Sequence, residues 1–209
     1  MPDQVAIDVA DLQKDFGEVQ AVREISFRVR QGEILSLLGP NGAPKSTTIS
    51  MLSCLLRPTH GDATVMGHSI LRNPAGVKES IGVVPRYIAV YEDLTARENL
   101  EFWGKMYVLR GQTLRQRVDE ALELVGLVDR QRDLVRKYSG GMERRMNIAV
   151  ALLHRPAVLI LDEPTAGIDP QSRRHIHAKH AASGGGLRRG ADPDRHAGDD
   201  LGLQRRCDG

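Results

Sequence analysis

Strong charge of either sign is missing. The 209 residues carry 29 Lys and Arg against 27 Asp and Glu, a formal net charge of +2. That gives no basic field of the kind that draws in nucleic acid, so no nucleic-acid partner is expected. Cysteine is nearly absent: Cys54 and Cys207 stand far apart and form no C-x-x-C pair. Their scarcity excludes a disulfide framework and points to a reducing, cytosolic compartment with incidental thiols. No run of about 18 apolar residues occurs, so the chain is not expected to span a bilayer by itself. The first ten residues, with Asp3 and Asp8 among short apolar ones, lack the charged head and apolar stretch of a signal peptide.

What is present is enough apolar sequence, 41% of residues, for a full core in one domain with a subdomain. "VAIDVADLQKDF" and "AVREISFRVRQGEILSLLG" alternate apolar with polar residues and are broken by Gly17 and by Gln31-Gly32. This predicts antiparallel strands leading into a central buried one at residues 34–38, where the run is almost continuously apolar. Beyond "GPNGAPKSTT" the period changes. Ile49, Leu52 and Leu56 fall at helical spacing, and Arg57-Pro58 is the expected stop. From about Tyr91 to Leu153 the pattern is helical: Thr95 and Glu98 form a capping box, and Val118, Leu122 and Val125 share one core-facing stripe. "AVLILDEP" reads as a strand buried on both faces. From Ala178 onward there is no Val, Ile, Met, Phe, Tyr or Trp. Residues 178–209 are therefore expected to be disordered or loosely attached.

Three stretches carry chemistry. "GPNGAPKSTT" follows the pattern G-x-x-x-x-G-K-[ST], in which loop amides, here offered by Gly39, Asn41 and Gly42, cradle phosphates. Lys45 is placed to reach the β and γ oxygens, and the hydroxyls of Ser46 and Thr47 follow it, one of them to ligate magnesium. Pro44 stands where the pattern has its second glycine. Downstream, Asp162 and Glu163 close an apolar strand, where one carboxylate can hold magnesium and the other polarise a water. Between them, Ser139 precedes Gly140-Gly141 and a helical run, which reads as an N-cap with an anion-binding end. Taken singly, each has a plainer reading as a glycine turn, an acidic cap or a serine cap. Their order along one chain joins them.

With these motifs the sequence resembles the ATP-binding subunit of ABC transporters, from about Val5 to His177. The resemblance rests on the phosphate loop at Gly39 to Thr47, "SGG" at Ser139 to Gly141, "LILDEP" at Leu159 to Pro164, and the loop ending in Asp169. "YSGGMERR" with "GIDPQSR" looks most like the ABC-2 type export subfamily. The resemblance implies a P-loop NTPase α/β core with a mixed sheet, an N-terminal antiparallel β subdomain and a helical subdomain at about 88–153. It implies ATP and Mg2+ as cofactors, and ATP hydrolysis coupled to export. Phe16 matches the adenine-stacking aromatic, although locally it is equally a strand-end core residue. Lys45 and Glu163 match the catalytic lysine and general base, and Ser46 and Asp162 the magnesium ligands. Gly39, Asn41, Gly42, Lys45, Ser46, Thr47 and Asp169 match nucleotide-binding positions. Ser139, Gly140 and Gly141 match the signature that touches the γ-phosphate held by an opposite subunit. The implied partners are a second ATP-binding subunit and separate transmembrane permease subunits, with the chain peripheral on the cytoplasmic face of the membrane.

Three departures accompany the resemblance. Pro44 removes a backbone donor from the phosphate loop and fixes its own φ. Arg86 occupies a position where the family usually has glutamine, and carries no acceptor. Residues 178–209 have the composition of GC-rich sequence read out of frame, so the cassette is expected to be incomplete after residue 177. His196 stands near the place of the family's switch histidine, but "GADPDR" before it is no buried strand. These features define the alternatives: a non-catalytic cassette that does not turn over ATP, or a soluble ABC protein of translation or repair.

Overall fold

A computed structural model describes residues 4–39 and 44–162, together with the backbone of 202–206. Asn41, Gly42, Glu163 and Asp169 lie outside the described residues, as do Cys207 and His196. The chain divides into two compact units, 1–81 with 185–209, and 82–184.

The first unit is built on the alternation of the N-terminal sequence. Strand β1 (Val5–Phe16) pairs antiparallel with β2 (Val19–Arg30). On its other edge β1 pairs antiparallel with β4 (His60–Val65), which pairs in turn with β5 (His68–Ser69). One face of this sheet is core: Val9, Leu12, Val22, Ala63 and Val65 are each at most 2% exposed. Burying a side chain of this size contributes about 1.5–3 kcal/mol. The antiparallel β subdomain expected from the sequence is thus present.

Strand β3 (Ile34–Leu38) differs from expectation. Its ends Ile34 and Leu38 are 47% and 45% exposed, and its middle is only half-buried. A strand buried on both faces needs neighbours on both edges and layers above and below. Among the described residues β3 pairs only with β8 (Gly202–Arg206), antiparallel, in register Ile34↔Arg206 to Leu38↔Gly202. Five residues of the tail expected to be disordered are therefore a strand. Pairing uses main-chain N–H and C=O groups, which a stretch poor in Val and Ile supplies as well as any other.

Helix α1 (Lys45–Leu52) also ends earlier than Arg57-Pro58. Cys54 takes a left-handed φ of 57°, its amide donates to the Met51 carbonyl at 3.0 Å, and the Leu55 amide donates to Ser50 at 2.9 Å. This pair of bonds closes a helix with the motif that normally has glycine at the left-handed position. Burial pushes the Cys54 thiol pKa up, with Asp62 adding to it and Lys78 opposing. Replacing Cys54 with glycine removes a left-handed penalty of about 1–2 kcal/mol, while the added unfolded-state freedom costs about 0.4–1 kcal/mol. Cys54→Gly is expected to raise stability by about 0.5–1 kcal/mol on these terms. Urea unfolding checks this, and a lowered midpoint would contradict it. Helix α2 (Pro74–Ser80) completes the unit, with the Asn73 side chain accepting from the Gly76 amide at its start.

The second unit begins with β6 (Ile81–Val84), which pairs with β7 (Val158–Leu161). Between them run α3 (Ala96–Met106), α4 (Gly111–Val125) and α5 (Gly140–Leu152), with short 3-10 turns at Val128–Arg130 and Val135–Lys137. The capping box forms at α3. The Thr95 amide donates to Glu98 at 2.8 Å and the Glu98 amide to the Thr95 hydroxyl at 3.2 Å. Donation from the Thr95 amide and, at 2.7 Å, from the Thr95 hydroxyl holds the Glu98 carboxyl below its ordinary pKa. Val118, Leu122 and Val125 point inward from α4 and join Leu100, Leu127 and Met146 in one core. Strand β7 is less buried than expected, with only Ile160 inside. Like β3, it has a single strand neighbour among the described residues. Gly82 lies so close to α5 that a Cβ there would fall 2.3 Å from the Ala151 carbonyl oxygen, so glycine sets how near β6 and α5 approach.

Candidate functional site

The candidate residues of the first unit gather at two places. Phe16 ends β1 at a hairpin whose turn is Gly17-Glu18, and its ring is 51% exposed. The Lys14 ammonium lies over that ring, 5.2 Å from its centroid. Phe16 is thus not a core residue, and the plainer of its two readings falls.

The second place is the start of α1. Strand, loop and helix follow one another as the phosphate pattern requires: β3, then Gly39, then α1 beginning at Lys45. Pro44 is the N-cap, at φ −69° and ψ 15°. A proline ring holds φ near −65° in any case, so the residue sits there without strain. Its carbonyl accepts the first intrahelical bond, from the Thr48 amide at 2.8 Å, and the Thr48 hydroxyl bonds the same oxygen at 2.8 Å. The helix loses nothing by the missing N–H of its cap residue, because an N-cap amide has no carbonyl one turn earlier to bond. The Lys45 ammonium donates to the Gly39 carbonyl, bridging the two ends of the loop. Ser46 is exposed, Thr47 half-buried and Thr48 buried.

A phosphate and its metal fit this donor set. The amides of Lys45, Ser46 and Thr47 face out of a helix N-terminus, with the positive end of the helix dipole behind them. An ammonium and an exposed hydroxyl stand beside them, the hard oxygen donor and compact cation that triphosphate with magnesium calls for.

In the second unit Ser139 caps α5, accepting from the Met142 amide at 3.4 Å. Ser139 and Gly140 are exposed, and a Cβ on Gly140 or Gly141 would meet nothing within 4 Å. Among the described residues, packing requires neither glycine. Asp162 follows β7, and its amide donates to the Val84 carbonyl at 3.0 Å, extending the β6–β7 pairing by one residue.

Two residues at this site escaped the sequence reading. Arg144 is 2% exposed. Its Nη1 donates to the carbonyls of Pro85 and, at 3.3 Å, Arg86, and its Nη2 donates to the Asp162 carbonyl at 3.2 Å. Burial draws its guanidinium pKa down, and the nearby Asp162 charge opposes that. One turn on, Asn147, 3% exposed, donates to the Tyr87 carbonyl at 2.9 Å and accepts from the Ala89 amide at 3.0 Å. The backbone around Arg86 is thus tied to α5, while the Arg86 side chain is exposed, its guanidinium 5.9 Å from the Tyr87 ring centroid. The signal in the sequence was a polar pair at i, i+3 inside a helix whose remaining inward positions are Met, Ile and Ala.

Known proteins agree with this arrangement. The ABC transporter family matches residues 22–166. The linearmycin resistance ATP-binding protein LnrL of Bacillus subtilis strain 168 is 51% identical over 170 residues, covering 81% of this chain and 55% of that protein. The daunorubicin resistance ATP-binding protein DrrA3 of Streptomyces coeruleorubidus is 42% identical over 171 residues, covering 82% of this chain and 54% of that protein. The chain thus spans about half the length of these relatives. The fold matches a dimeric post-hydrolysis structure of the ATP-binding cassette MJ0796 bound to ADP and Pi, with a TM-score of 0.72 and 25% identity, covering 82% of this chain and 80% of that one. The architecture is accordingly the α/β fold of ATP-binding cassettes.

Proposed function

Because this chain belongs to the ABC transporter family, we propose that it is the ATP-binding subunit of an exporter, hydrolysing ATP to drive separate membrane subunits. The observation that carries the proposal is the start of α1, where Pro44 caps an intact helix and Lys45 and Ser46 remain at a phosphate-binding end.

In this reading Gly39, Asn41, Gly42 and the amides up to Thr47 hold the phosphates, and Lys45 neutralises the β and γ oxygens. The Ser46 hydroxyl and the Asp162 carboxylate hold magnesium, which when bound offsets the charge of the phosphate oxygens. Glu163 orients the attacking water and takes its proton. Phe16 offers its exposed ring to adenine, and Asp169 belongs to the same nucleotide-binding set. The open space at Gly140 and Gly141 supports a role for Ser139, Gly140 and Gly141 against the γ-phosphate of a second copy, the head-to-tail pairing of the family.

Export as the direction of transport is supported by the resistance relatives, and is the ABC-2 type reading. Among the described residues no helix is long and apolar enough to cross a membrane; the proposed path for cargo lies in permease subunits. Exposed Tyr87, Ile88 and Tyr91 offer apolar surface for such a partner, which supports a peripheral position on the cytoplasmic face of the membrane. The family-like part of the domain is proposed to run from 1 to 177, followed by the atypical stretch 178–209, of which residues 202–206 pair with β3.

Phosphate release from ATP by the full chain tests the proposal. Turnover that disappears when magnesium is chelated is expected. Release that is absent, or indifferent to magnesium, in both the natural chain and Pro44→Gly would favour the non-catalytic alternative.

A further inference from the structure

Arg144 and Asn147 are buried polar side chains in a helix interior, a placement that costs free energy unless it serves something. Among the described residues both hydrogen-bond backbone groups outside α5. The two ends of one guanidinium face different segments: Nη1 holds the carbonyls of Pro85 and Arg86, and Nη2 holds that of Asp162. Asn147 holds Tyr87 and Ala89 on the first of those segments. The same helix is capped by Ser139. A rigid 13-residue helix therefore carries the signature serine at its first turn and, one to two turns on, the contacts that fix the Arg86 segment and the end of β7.

We propose that Arg144 is a positioning residue that locks the 85–89 segment and Asp162 to α5, so that these two parts and Ser139 move as one body. In this role it acts through the backbone that presents Arg86 and Asp162. The proposal rests on the ATPase reading above for its catalytic consequence but not for its mechanical part. Lysine cannot replace arginine here, because a single ammonium has no second planar donor edge to reach both segments.

The test combines Arg144→Met, Arg144→Lys and Asn147→Ser in the full chain. Hydrogen exchange is followed at the amides of Ala89, bonded to Asn147, and Asp162, bonded to Val84. Trp103, the single tryptophan, reports on the chain just beyond this segment through its stacking with Tyr91 at 6.4 Å. In Arg144→Met both amides are expected to exchange at least about tenfold faster while those of α4 keep their protection, and Trp103 emission is expected to shift. Turnover is expected to fall at least about tenfold with KM within about threefold, and Arg144→Lys is expected not to restore it. In Asn147→Ser, which leaves the arginine in place, only Ala89 is expected to speed up. Unchanged exchange at Ala89 and Asp162 in Arg144→Met, or full recovery in Arg144→Lys, would overturn the proposal. Should Arg144→Met not fold, Arg144→Lys decides by the same amides: protected as in the natural chain, it overturns the proposal. If the natural chain hydrolyses no ATP, the ATPase reading fails, and the exchange pattern alone still decides whether Arg144 locks the two segments.

Discussion

Glu163→Gln is expected to lower ATP turnover by at least about a hundredfold while leaving nucleotide affinity within about threefold of the natural chain. General-base catalysis by a placed side chain is worth about a hundred- to ten-thousandfold. Glutamine has the same shape and keeps one acceptor oxygen, but its amide cannot take up the proton of an attacking water. The substitution therefore removes a step and spares the binding set of Lys45, Ser46 and Asp162. The residue before it is well anchored: the Asp162 amide is bonded to Val84 and its carbonyl to Arg144. A second consequence follows from the proposed head-to-tail pairing. With ATP bound and hydrolysis blocked, two copies should stay closed, and light scattering should show a magnesium- and ATP-dependent dimer in Glu163→Gln. Turnover within tenfold of the natural chain would remove Glu163 from the role of base.

Pro44→Gly is expected to tighten magnesium-ATP binding by about five- to thirtyfold. In the proposed reading the amide that Pro44 lacks would be one of the phosphate donors of the loop, and a hydrogen bond to a charged group is worth about 1.5–3 kcal/mol. Glycine takes back about 0.4–1 kcal/mol because the free loop has more freedom for binding to order. The net gain of about 1–2 kcal/mol gives the stated range. Strain does not add to it, since Pro44 sits at φ −69° and its carbonyl already accepts from Thr48. The proline is therefore expected to remove one phosphate contact while the start of α1 stays in place. An affinity unchanged by Pro44→Gly would mean that the amide at this position is not a phosphate donor.

How far the sequence alone reached depended on whether a feature is written in side chains or in main chain. The capping box at Thr95 and Glu98, the serine cap of α5 and the inward stripe of α4 are side-chain signals, and each is found in place. The end of α1 was misplaced because it is decided by main-chain bonds at Cys54 and Leu55, which outrun the apolar period by which Leu56 looked helical. The burial of β3 and β7 was overstated because an apolar run reports what a strand tolerates, whereas burial depends on which strands and helices become its neighbours. Residues 202–206 were missed for a similar reason, since β3 pairs with their backbone and not with their composition. Arg144 and Asn147 went unnoticed because their partners are carbonyls and an amide of the 85–89 segment and Asp162, groups that carry no sequence signature of their own. Phe16 was legible as an aromatic at a strand end, but only its 51% exposure separates a stacking surface from a core residue.

The central claim is that the loop from Gly39 to Thr47 still holds a nucleotide although Pro44 has replaced its glycine. Equilibrium titration of the full chain with magnesium-ATP, alongside Pro44→Gly and Lys45→Ala, tests it most directly. One saturable site per chain, tighter in Pro44→Gly and lost in Lys45→Ala, is the expected result. Absence of saturable binding in both the natural chain and Pro44→Gly, or binding that survives intact in Lys45→Ala, would contradict it.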